Sequence, residues 1–258
     1  MKVAQAFVAQ SGRGQRGGLL SEPKADAVFF PALLAFLWAG LLFGFVPRIY
    51  QHIVQHRPPY LWIVHVHAVA FFGWMLLLTA QIGLVRSRNI ARHRRLGRLA
   101  SYWGLATIVA GLATQFLVSQ ARFGTPRWDP PFLAIPLADL ANFGILLAFA
   151  IRMRGDGATH KRLMVLATSA ISNVGFARWW GGALAQLLGE GYWSEMAQDY
   201  SGGFAILVAL IALDCAVRGR PSRAVVMGAA LILGLEALAA YLYFSPWWLE
   251  FTSRILHP

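Results

Sequence analysis

The chain has 258 residues, of which 57% are hydrophobic and only 13% charged, and its apolar runs are long enough to span a hydrocarbon core of roughly 30 Å. That composition excludes an ordinary water-soluble domain, and the absence of alternating ten-residue strands excludes a membrane β-barrel. The net charge of +12 does not point to nucleic acid, because it is concentrated in short connections that orient helices and meet anionic lipid head groups. Cys215 is the single cysteine, so an intramolecular disulfide and a cysteine-built metal site are both ruled out.

Residues 1–26 read as a disordered cytoplasmic tail, polar and glycine-rich from Ser11 to Gly18. They lack the apolar stretch of a cleavable signal peptide, so the first span is expected to stay in the membrane. An all-α membrane domain follows over residues 27–246, with seven spans at 27–46, 60–85, 98–120, 131–152, 163–188, 203–218 and 224–246. The sixth is the shortest. Residues 247–258 read as an outer tail.

Charge sets the expected orientation. Arg86, Arg88, Arg92, Arg94, Arg95 and Arg98 crowd the second connection, Arg152, Arg154, Lys161 and Arg162 the fourth, and Arg218, Arg220 and Arg223 the sixth. With seven spans these three connections share one side, whereas the fifth is acidic, with Glu190, Glu195 and Asp199. The positive-inside rule then makes the N-terminus cytoplasmic and the C-terminus external, as in a bacterial inner-membrane protein.

An internal repeat stands out. His93-Arg-Arg-Leu-Gly-Arg-Leu-Ala-Ser101 and His160-Lys-Arg-Leu-Met-Val-Leu-Ala-Thr168 match at His, Arg, Leu, Leu and Ala. The units run from about 60 to 120 and from 131 to 188, so spans two to five make an internally repeated four-helix core. Equivalent positions put His93 and His160 at equal depth, where two imidazoles could sandwich a haem b iron or share a metal. Arg94, Arg95, Lys161 and Arg162 could then hold propionates or another anion. The plainer alternative makes both motifs interfacial anchors for phosphate head groups.

A second constellation falls in the outer half of the bundle. The helical rise puts His65 and His67 about 8 to 10 Å inside span two, Asp139 about 12 Å inside span four and Arg178 about 15 Å from the end of span five. Asn142 shares a face with Asp139, Gln115 falls at a similar level, and only one of His65 and His67 can face the same way. A lone charge at such depth costs at least a few kcal/mol, so Asp139 and Arg178 are expected to face the interior and pair, either as a polar pocket or as a device fixing two helices. Trp179 and Trp180 could cover a planar ligand or belong to the aromatic belt. Glu236, mid-span in the seventh segment, adds a carboxylate, as does Asp214 in the sixth; no lysine lies in the seventh span for a retinal Schiff base. His52 and His56 have helical metal spacing, and with His65 or His67 could form an outer zinc site. Gly40 with Gly44, and Gly181 with Gly182, suit close helix packing.

The run His65 to Gly97, with Gly73-Trp74, Gln81 and His93-Arg-Arg-Leu-Gly97, together with Asp139, His160-Lys-Arg-Leu-Met164 and Ala177-Arg178, resembles a family of uncharacterised bacterial polytopic membrane proteins. The resemblance covers about half of the chain and implies a helical bundle, with no activity attached. A looser similarity is to b-type cytochromes and ferric reductases, whose four-helix cores hold haem between histidine pairs at two levels. This chain has candidate ligands on two helices at the inner level only, which leaves at most one haem. Three expectations follow: a single-haem electron-transfer protein using His93 and His160, a small-molecule or proton-linked transporter using the Asp139, Arg178, His67 and Glu236 pocket, or a membrane scaffold. The lipid bilayer is the expected partner, with a redox protein or a second copy left open.

Overall fold

In a computed structural model the described residues, 22–257, form helices and no strand. In chain order they are α1 (Glu22–Val54), α2 (Trp62–Arg86), α3 (Ile90–Ala121), a 3-10 turn (Pro130–Leu133), α4 (Ala134–Arg152), α5 (Gly157–Phe176), a π turn (Ala177–Gly181), α6 (Gly182–Leu188), α7 (Tyr192–Arg218), α8 (Arg223–Tyr243) and α9 (Pro246–Ile255). Among the described residues six segments are long and apolar enough to cross a membrane: α1, α2, α3, α4 with its 3-10 turn, α7 and α8. The apolar side chains left exposed on them, such as Leu42, Val69, Leu105 and Val208, form the surface that lipid would cover.

The helix α5 is not among those six. Its sequence carries Arg162, Thr168, Ser169, Ser172 and Asn173, all buried. It occupies the centre, packed by α1, α4, α7 and α8. A helix enclosed by protein on most sides meets neighbours rather than hydrocarbon, so its polar groups can be satisfied across interfaces. The closest approach is to α1: a Cβ on Gly44 would lie 2.2 Å from Gly175 O, and one on Gly175 would lie 2.8 Å from Gly40 O. Small residues are required on both helices, and Gly40 and Gly44 serve packing here.

Several sequence expectations are corrected. The first helix starts at Glu22, so residues 22–26 are helical rather than part of a disordered tail; the rest of that expectation, residues 1–21, lies outside the described residues. That helix also continues through Pro47 to Val54, past the end at residue 46 expected for the first span. The sixth expected span, 203–218, is the second half of the 27-residue helix α7, which takes in Glu195 and Asp199. The segment expected as an outer tail folds into α9, which buries Trp248 and Thr252 against the bundle and leaves Trp247, Leu249 and Phe251 exposed. Trp248 Nε1 donates to Pro131 O at 3.0 Å, fixing α9 across one end.

Contacts define the two ends. At the basic end Arg86 donates to Ala27 O at 2.5 Å, and Lys161 pairs with Asp26. At the opposite end Tyr243 Oη donates to Asp129 Oδ2 at 3.2 Å, and the rings of Phe123 and His257 meet with centroids 4.5 Å apart.

Candidate functional site

Two polar centres lie within the bundle. The first is in the half toward α9 and is organised by Asn173 on α5. Its Nδ2 donates to Asp139 Oδ1 of α4 and to Glu236 Oε1 of α8, both at 3.1 Å. Its Oδ1 accepts from Gly203 N of α7 at 2.9 Å. One amide thus joins four helices, and glycine is needed opposite it, since a Cβ on residue 203 would lie 2.6 Å from Asn173 Oδ1. Asn142, Asn173 and Glu236 are essentially inaccessible, and Asp139 is 8% exposed.

The centre is under-satisfied. Glu236 Oε2, both polar atoms of Asn142 and Tyr200 Oη are buried without a hydrogen-bond partner, and Tyr200 interacts electrostatically with both Asp139 and Glu236. Buried polar groups in native proteins almost always have partners. Four of the buried polar atoms left without a protein partner among the described residues thus belong to Glu236, Asn142 and Tyr200. Trp248 and Leu256 pack in the same apolar cluster as Tyr200, Ala138 and Ala239, so the C-terminal segment covers the Tyr200 side of this centre.

Arg178 is not part of it. Among the described residues no ion pair joins Arg178 to Asp139. The π turn begins one residue before Arg178, and the widened turn shifts the helical register so that the side chain emerges on the bundle surface. There its guanidinium donates to Val174 O at 2.9 Å and lies 5.0 Å from the Phe45 ring centroid. The expected Asp139–Arg178 pair is therefore replaced by an Asp139–Asn173 bond. The neighbouring Trp179 and Trp180 stack on each other and on Phe176, with centroids 5.0 to 6.5 Å apart.

The other expected pocket members scatter. The exposed His65 meets Tyr60 edge-on. His67 tilts against Phe71, leaves its Nδ1 unpartnered and interacts electrostatically with Arg178 rather than with the acids. Gln115 is half-buried on α3 and is not a partner of either carboxyl. His52 stacks on Tyr60 with centroids 4.0 Å apart, while His56 ends the α1 segment in a left-handed conformation. Among the described residues no group of three or more His, Cys, Asp and Glu is placed to hold a metal, so His52 and His56 are not brought together with a third ligand.

The second centre, at the basic end, gathers the two His-Arg motifs. The rings of His93 and His160 face each other with centroids 6.4 Å apart and planes at 84°. His160 Nδ1 donates to Ala150 O at 2.8 Å, a carbonyl in the last turn of α4 that lacks its usual helical partner. Gln81 of α2 lies along the first turns of α3, where Gly97 N can only donate and His93 O can only accept; with the amide assigned the orientation that satisfies both, its oxygen accepts from Gly97 N at 2.8 Å, and its nitrogen donates to His93 O at 3.2 Å and to His93 Nδ1 at 2.6 Å. Gly97 makes room for this, since a Cβ there would come within 3.3 Å of the Gln81 amide.

The cations of the second motif are engaged. Besides the Lys161–Asp26 pair, Arg162 is 1% exposed and pairs with Asp214, its Nε donating at 2.7 Å. Asp214 also accepts from Ser222 N at 2.7 Å, which ties α5, α7 and the start of α8 together. Arg94 and Arg95 are exposed. A haem iron between the two rings would need a lone pair at Nε2 of each. His160 offers one, but the Gln81 bond places the hydrogen of His93 on its Nε2, and the Lys161 and Arg162 expected beside propionates are already paired. The residues as arranged do not fit bis-histidine haem ligation.

Sequence reasoning missed Asn173, Tyr200 and the Arg162–Asp214 pair. The signal available for the first was the low hydropathy of α5, whose polar residues had to be met by neighbours. No protein-family model, curated protein or solved structure matches the chain.

Proposed function

We propose that the chain is a multi-pass inner-membrane protein acting as a proton-linked transporter, with the Asp139–Asn173–Glu236 centre as its proton-binding site. In this reading α5, the π turn and α6 form a seventh crossing, the basic end faces the cytoplasm, and spans two to five form the repeated core. The observation that carries the function is a pair of buried carboxyls sharing one amide donor, with no ion-pair partner for either among the described residues. Two ionised carboxylates inside a bundle would each cost a few kcal/mol and would repel each other. A proton is the smallest species that neutralises such a pair, and it needs no cavity. Tyr200 Oη and the Asn142 amide supply unused hydrogen-bonding positions for a water or solute hydroxyl arriving beside it.

Infrared spectroscopy of the protein in lipid vesicles tests this. The wild type is expected to show a protonated-carboxyl C=O band that changes when the pH is stepped across the physiological range, with the band lost or shifted in D139N and E236Q. A band unaltered by both substitutions, or one that ignores the pH step, refutes the proton-binding reading.

A further inference from the structure

We infer that the basic end of the bundle carries a separate proton-accepting site at His160 Nε2, with His93 and Gln81 completing it. Four ring nitrogens meet at this end of the bundle. His160 Nδ1 faces a carbonyl oxygen, which only accepts, so that nitrogen carries a hydrogen. Gly97 N and His93 O fix which way the Gln81 amide is assigned, and in that orientation its nitrogen faces His93 Nδ1, so Nδ1 is an acceptor and the His93 hydrogen sits on Nε2. This leaves His160 Nε2 as the nitrogen whose lone pair is not already engaged. The two histidines are thus locked in opposite tautomers by hydrogen bonds behind each ring, and both rings are half-buried at the end of the bundle, within reach of solvent.

The same arrangement limits the pair to one proton. Protonating His93 at Nδ1 would set a donor against the Gln81 donor 2.6 Å away, so the amide would have to turn and give up its bond to Gly97. A second positive charge would also stand against an imidazolium whose ring centroid is 6.4 Å away. The charged groups around the pair reinforce this. Arg94 of α3 acts on His93. From α5, Lys161 and Arg162 are matched by Asp26 of α1 and Asp214 of α7, and the facing groups of α2 and α4 are the neutral Gln81 and the Ala150 carbonyl. Taken with the proton-linked reading, on which this last step alone rests, the site is the cytoplasmic counterpart of the outer carboxyl pair.

The test is nitrogen NMR of 15N-histidine-labelled full-length protein in lipid nanodiscs, with assignments from H93N and H160N. At alkaline pH the expected result is His160 with its hydrogen on Nδ1 and His93 with its hydrogen on Nε2. On acidification the pair takes up a single proton, and Q81L admits a second by freeing His93 Nδ1. Should Q81L fail to fold, the wild-type tautomers still decide the matter. Finding the hydrogen of His160 on Nε2, or two independent titrations unaffected by Q81L, overturns the inference. A Soret band in the purified protein does the same by assigning that nitrogen to iron. None of these outcomes bears on the infrared signature of Asp139 and Glu236, so the two readings fail separately.

Discussion

Gly203→Ala probes the acid centre without removing any of its polar groups. The added Cβ would sit 2.6 Å from Asn173 Oδ1, which forces the amide back by roughly 0.5 to 1 Å to reach van der Waals distance. All three Asn173 bonds, at 2.9 to 3.1 Å, then pass their useful range. Interhelical hydrogen bonds in membranes average about 0.6 kcal/mol, so three contribute about 2 kcal/mol. Overpacking adds about 1 to 3 kcal/mol, and the better helix propensity of alanine returns about 1 kcal/mol. The expected net loss is about 2 to 4 kcal/mol, measured by reversible unfolding in mixed detergent micelles, together with a shifted carboxyl band in the infrared. Stability within about 0.5 kcal/mol of wild type, with an unchanged band, would show that the close approach of Gly203 does not position Asn173.

Arg162→Leu leaves the inaccessible Asp214 without its guanidinium and is expected to cost about 3 to 5 kcal/mol, whereas replacing both partners by apolar residues recovers most of the loss; a double-mutant cycle with purely additive effects contradicts this. Asp156 caps α5 by accepting from Ala158 N at 3.0 Å and Thr159 N at 3.3 Å, and these bonds, chiefly those with Thr159, hold its carboxyl below the usual aspartate range. Its folded value lies under its unfolded one, so its contribution is present above the ordinary carboxylate pKa and is lost as pH falls through the lowered value. D156A is therefore expected to destabilise by about 1 kcal/mol at neutral pH and to lose that difference in acid, as read from unfolding curves at several pH values.

The helical class and the basic end were legible because composition and charge act residue by residue. Asp139 and Glu236 were legible too, as carboxylates in apolar runs. The partner assigned to Asp139 was wrong because helix depth, which the 1.5 Å rise supplies, does not give rotation about the helix axis, and the π turn changed that rotation for Arg178. The two His-Arg motifs look equivalent as strings. Their surroundings differ: where the first has Gly97 and receives Gln81, the second has Met164 and leans on Ala150 O. That difference sets opposite tautomers on His93 and His160.

By itself the sequence determined a membrane-type helical bundle with its cations gathered at the helix ends, since lipid demands long apolar helices and tolerates charge only where it can be solvated or paired. Tertiary structure alone decided that α5, which is not among the helices apolar enough to cross a membrane, sits at the centre, that Asn173 joins Asp139 to Glu236, and that Arg162 is matched by Asp214. Each of these depends on which helices become neighbours and on how each is turned. Side chains far apart in the chain settle that jointly, and no local stretch of sequence encodes it.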